Sequence, residues 1–137
     1  MLKRLAAAAA CAALLLVLSA CGDSGTTGSS GGTSAYTGMW NFTIRLTAVG
    51  NVCGNSESEI GVPIGPVSVE VNSSGSFHVS DPDVTGQIDS SGNVVVTLAA
   101  AGSCPIGAGA GGCRNTSHCN GTAVQGGDVT LWTLARQ

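Results

Sequence analysis

From Trp40 onward the chain alternates. Trp40, Phe42, Ile44 and Leu46 are separated by Asn41, Thr43, Arg45 and Thr47, which is the two-residue period of a strand with one buried face. The pattern returns at Val67, Val69 and Val71, at Phe77 and Val79, at Val84 and Ile88, at Val94, Val96 and Leu98, and at Val129 and Leu131. No window beyond residue 36 has the spacing of an amphipathic helix. Each such run leaves one apolar face that must be covered by another sheet face, so the class is all-β, a barrel or a sandwich.

The runs are joined by short turns. "VEVNSSGSFHV" and "GQIDSSGNVVV" each place Asn or Asp, two serines and a glycine between apolar runs. That suits a hairpin loop on a type I turn with Gly75 or Gly92 in the left-handed region. Gly126-Gly127 is a third tight turn. The spacing predicts an antiparallel meander of about seven to eight strands, seven of them near 37–47, 66–72, 75–80, 83–89, 92–99, 117–125 and 128–135. Pro63 and Pro66 mark the region before the second strand as edge or loop. "GAGAGG" at Gly107 to Gly112 lacks the Gly-Lys-Ser/Thr ending of a phosphate loop and reads as a mobile loop tethered by Cys104 and Cys113.

Residues 36–137 are enough for one small domain, and a domain of that size is only marginally stable on burial alone. Cys53, Cys104, Cys113 and Cys119 are an even set of thiols, read as two disulfides in an oxidising compartment. A zinc site from Cys104, Cys113, His118 and Cys119 has no Cys-x-x-Cys knuckle, and no metal is expected. If seven strands alternate up and down, all four thiols fall at one rim. Three pairings remain open, with a preference for Cys104 to Cys113 and Cys53 to Cys119.

The first residues carry an address. Lys3 and Arg4, the apolar stretch Leu5 to Leu18 and the small residues before Cys21 read as a secretory signal over 1–20, too short to span a membrane comfortably. Leu18-Ser19-Ala20-Cys21 resembles the lipobox of bacterial lipoproteins. The resemblance implies cleavage before Cys21 and acylation of its sulfur and new amino group, so that Cys21 is the membrane anchor. Gly22 rather than Asp follows the cysteine, which in that family implies the outer membrane. Residues 21–35 then form the lipidated cysteine and a Gly/Ser/Thr tether, a composition that cannot offset its own ordering entropy. From Cys21 onward three arginines face eight acids, a net charge of −5 with no lysine, and that excludes a nucleic-acid partner.

Gly38-Met39-Trp40 at the head of the first strand, with Trp132 and Arg136 on the last, resembles the Gly-x-Trp signature of lipocalins and their calycin relatives. The resemblance implies a closed antiparallel barrel with Trp40 packed across one end beneath Arg136, and a small apolar ligand inside. An all-antiparallel barrel needs an even number of strands. An eighth near 57–61 brings Arg136 to the Trp40 end but takes Cys53 away from the other thiols, and the cysteines weigh more.

Candidates for chemistry are few. His78, Ser80, Asp81 and Asp83 lie close in sequence, but no Gly-x-Ser-x-Gly elbow presents a nucleophile, and His78 is expected to face outward. Asp81, Asp83 and Gly86 echo a calcium loop, yet Thr85 and Gly92 replace two of its ligands and no helices flank it. The expectation is therefore a lipid-anchored bacterial envelope protein without catalytic residues or cofactor. Its partner is a small molecule or an envelope protein, and the alternative is a structural surface lipoprotein without ligand.

Overall fold

A computed structural model describes residues 34–137. Cys21 and the readings made for residues 1–33 lie outside them. After a short 3₁₀ turn at Ser34–Tyr36 come eight strands: β1 (Gly38–Ala48), β2 (Pro63–Val71), β3 (Ser76–Ser80), β4 (Asp83–Ile88), β5 (Asn93–Leu98), β6 (Gly107–Asn115), β7 (His118–Gln125) and β8 (Asp128–Arg136). All pairings are antiparallel, and the sheet order is β2-β1-β8-β7-β6-β5-β4-β3.

Pairing of the first strand with the last curls this sheet into a barrel. Trp40 lies opposite Arg136, and Ile44 opposite Trp132. The ends of the order, β2 and β3, are consecutive in the chain. Their turn is closed by a 3.0 Å bond from the Asn72 N–H to the Ser76 carbonyl, and beyond it no ladder joins them, so the barrel is nearly closed. Pro63 and Pro66 lie within β2, where an unladdered edge tolerates residues that donate no hydrogen bond. Between Phe42↔Val67 and Ile44↔Ile64, β2 carries one residue more than β1. Gly65 is needed in that bulge, because its φ of +107° is joined by a Phe42 carbonyl 2.6 Å from where a Cβ would stand.

The alternating residues fill the interior. Trp40, Phe42, Ile44, Val71, Val79, Val84, Ile88, Val94, Trp132 and Leu134 are buried in one cluster. An eight-stranded barrel has room for its own side chains or for one small ligand besides, and two indoles on strands β1 and β8 need space opposite. The glycines provide it. Gly107, Gly109 and Gly111 lie across from the buried Leu98, Val96 and Val94, which puts them on the inner face. A Cβ on Gly111 would stand 2.6 Å from Cζ2 of Trp132, and one on Gly121 would overlap the same carbon. On β4, a Cβ at Gly86 would overlap the Phe77 ring.

Three sequence expectations are thereby corrected. Gly107 to Gly112 is strand, not a mobile loop; Gly111 leaves the room that Trp132 occupies, and Gly107 and Gly109 lie close against β7. The eighth strand is this one; Glu57–Glu59 is a 3₁₀ turn. The disulfides are Cys53–Cys104 and Cys113–Cys119, not the preferred pairing, and the four thiols do not share a rim. One cause underlies all three. A strand inserted before β7 reverses β7 and β8, so Cys113 and Cys119 move to the opposite end from Cys53 and Cys104 while Arg136 comes to the end holding Trp40. The weight placed on the cysteines over the arginine is reversed by that parity.

Candidate functional site

The two ends of the barrel differ. At one end the 3₁₀ turn at Ser34–Tyr36 precedes β1, and the Trp40 indole N–H donates to the Tyr36 carbonyl at 2.8 Å. Arg136 stands over the Trp40 ring, its Cζ 5.6 Å from the centroid, and donates to the carbonyls of Ala35, Thr116 and Thr37 at 2.9, 3.1 and 2.6 Å. The guanidinium thus satisfies three loop carbonyls at once, and the Cys113–Cys119 bridge joins directly opposed residues of β6 and β7 nearby. This end is plugged.

The other end is open. A cavity of about 280 Å³ lies there, walled by Ile44, Leu46, Val62, Ile64 and Leu98, with Arg45, Asn55, Glu59, Gln125 and Thr130 adding polar groups. Val62 and Ile64 are each 54 % exposed, although Ile64 lies opposite the buried Ile44 in the ladder. They stay wet because β2 has no laddered neighbour on its far side. Val52, Ile60 and Ile106, in the loops of this end, are exposed as well. Below the cavity, the cross-strand neighbour of Ile44 is Trp132, whose buried Nε1 has no hydrogen-bond partner.

The loop from Val49 to Val62 forms part of the mouth and is held from two directions. The Cys53–Cys104 bridge ties it to the β5–β6 loop, and the Ser103 hydroxyl donates to the Val52 carbonyl at 2.8 Å. Asp128, 2 % exposed, accepts from the Gly50 N–H at 2.5 Å and from Asn55 Nδ2 at 2.6 Å. A buried carboxylate survives only when its oxygens are bonded in this way. Asp128→Ala should therefore lower stability by about 2 kcal/mol, the value of hydrogen bonds to a charged acceptor. Urea denaturation read together with proteolysis between residues 49 and 56 checks this; an unchanged midpoint would show that the loop is held by the disulfide alone.

The Glu59 carboxylate, on the cavity wall, accepts from the Ser56 N–H at 2.6 Å and the Ser56 hydroxyl at 3.0 Å. Those bonds hold its pKa below the usual carboxylate value, so it is ionised at neutral pH.

The remaining sequence candidates sit elsewhere. His78 Nε2 is 2.8 Å from the Asp83 carboxylate, with both side chains 58 % exposed on the outside of β3 and β4. Ser80 lies opposite Asp83 and is also exposed. Both side chains face solvent, so this is a solvated pair. Asp81 and Asp89, in the segment that echoes a calcium loop, are separated by the whole of β4, which corrects any reading of 81–92 as one ligand loop. Among the described residues no group of three or more His, Cys, Asp or Glu is placed to hold a metal, and no helix is long and apolar enough to cross a membrane.

Sequence reasoning missed the mouth. Val62 and Ile64 carried a usable signal, two apolar residues flanking prolines in a region read as edge or loop. The end at which they meet Leu98 depended on the strand count.

Fold and site together define a class: a small eight-stranded antiparallel barrel, disulfide-bridged near both ends, with one end plugged and the other open. Compared with known protein families, curated proteins and solved structures, the chain finds no match.

Proposed function

We propose that this chain is a lipid-anchored lipoprotein of the bacterial envelope, held by an acylated Cys21, whose barrel is a non-catalytic binding module for a small apolar molecule. The observation that carries the reading is the cavity at the open end, where Val62 and Ile64 line the wall yet remain half exposed. Exposed aliphatic surface in a concave site gains free energy when an apolar ligand covers it, at about 25 cal/mol per Å². The described chain begins beside the plugged end, at the opposite end of the barrel from the mouth.

The test is mass spectrometry on protein gently extracted from its own membranes. The denatured, non-reduced mass should show acylation at Cys21 and the loss of four hydrogens for two disulfides. The native mass should carry an extra component that leaves on denaturation. Cys21→Ala should move the protein from the membrane fraction to the soluble one; retention in membranes would overturn the anchor. Bare lipidated protein in repeated preparations would favour the structural role without ligand.

A further inference from the structure

The barrel is polarised in charge as well as in shape. At the open end, Glu57 and Glu59 occupy the 3₁₀ turn of the mouth loop, Asp81 lies in the β3–β4 turn beside Pro82 of the cavity wall, and Asp83 begins β4. Among the described residues the only arginine of that end is Arg45, which itself lines the cavity and has no carboxylate within ion-pair distance. Asp83 is bonded by His78, and the buried Asp128 by Gly50 and Asn55. The other two arginines of the described residues, Arg114 and Arg136, belong to the plugged end.

A molecule entering the cavity therefore meets aliphatic walls beneath a negative rim. Low-dielectric walls concentrate the field of such a rim into the opening. At about 10 Å in water, each unit charge contributes a factor of about two to the affinity of a charged ligand, and more where the walls exclude water. Four carboxylates and one guanidinium act together to favour a cation on the order of tenfold over a neutral molecule of the same shape, and to disfavour an anion by a similar factor.

We infer that the ligand of the open end is a cationic amphiphile, with an aliphatic group in the cavity between Ile44, Leu46, Ile64 and Leu98 and a cationic head among Glu59, Glu57 and Asp81. The inference rests on the binding-module reading and adds to it the chemistry of the ligand. A volume of about 280 Å³ corresponds to about nine waters at roughly 30 Å³ each. That is room for an aliphatic group of about eight carbons. The carboxylates stay at the surface, where they keep their own hydration and meet the head without being buried.

Three probes of one chain length separate charge from apolarity: octyltrimethylammonium, octan-1-ol and octanoate, each titrated below its aggregation threshold. The readout is the NMR shift of the Ile44, Ile64 and Leu98 methyl groups, which places any binding in the cavity. The expected order is cation, then alcohol, then anion, with on the order of tenfold between each and the next. Glu59→Gln keeps a hydrogen-bond acceptor for Ser56 and removes the charge; it should weaken the cation and strengthen the anion about twofold each, narrowing the gap about fourfold, and leave octanol unchanged. Asp81→Asn, outside the Ser56 contact, should do the same. Octanoate binding as tightly as the cation, or a gap untouched by both variants, would overturn the inference and leave the binding module standing. Failure of all three probes to move the methyls would overturn the apolar-ligand reading itself.

Discussion

Gly121→Ala should lower the stability of the domain sharply. The added methyl would overlap Cζ2 of Trp132 and the Ala110 carbonyl, and would stand 2.7 Å from the Gly111 Cα. Two of those three neighbours are backbone of the paired strand, which cannot rotate away as a side-chain tip can. Overpacking a closed core ordinarily costs about 1–3 kcal/mol, and here the clash reaches both the ladder and a fully buried indole, so about 3 kcal/mol or more is expected. Against the roughly 5–15 kcal/mol that holds a domain of this size, that is a large share. Circular dichroism and urea midpoints measure it. Gly112 is the internal control: its nearest neighbour to an added Cβ is the Gly92 carbonyl at 3.6 Å, ordinary contact, so Gly112→Ala should fold. Equal stability of the two variants would mean that the glycines of β6 and β7 are not there to make room for Trp132.

Removing the disulfides one at a time should have unequal effects. Cys53 and Cys104 are 51 residues apart, Cys113 and Cys119 only 6. If a bridge acts by restricting the unfolded chain, the longer loop is worth about 4 kcal/mol and the shorter about 2 kcal/mol. The double serine variant at 53 and 104 should therefore melt well below the one at 113 and 119, by on the order of ten degrees in a domain of about a hundred residues. The opposite order would show that the short bridge, with Cys119 fully buried in the core, acts through packing instead. The connectivity has its own test. Digestion of non-reduced protein with trypsin and a glutamate-specific protease cuts after Glu57, Glu70 and Arg114. The observed pairing joins three peptides in one covalent species, whereas the alternative preferred from sequence would release the peptide holding Cys104 and Cys113 by itself.

Both predictions turn on residues that sequence reasoning handled poorly, and for one physical reason. A strand is legible when its apolar side chains alternate with polar ones, as in β1 from Trp40 to Leu46 or β5 from Val94 to Leu98. β6 has no such side chains at its inner positions, and glycine is depleted in strands because it adds nothing to packing and loses entropy on ordering. Gly107 to Gly112 is extended by its ladders with β5 and β7, and glycine at 111 is required by the Trp132 ring from β8, a neighbour two strands away that no local pattern announces. Asp128 was invisible as a loop anchor for the same reason. Its partners Gly50 and Asn55 lie more than seventy positions earlier in the chain.

The sequence by itself determined the class. Alternation, hairpin glycines and the absence of helical spacing restrict residues 36–137 to an antiparallel β domain, and an even set of thiols restricts it to two bridges. These are properties of one segment or of a count, so they can be read along the chain. The tertiary structure alone decided barrel over sandwich, the pairing of the cysteines, and which end is plugged by Trp40 and Arg136 and which opens among Val62, Ile64 and Leu98. Each of these depends on the parity of the strand count and on closure of β1 against β8. Parity is a global quantity, and one glycine-rich strand without an apolar face is enough to invert it.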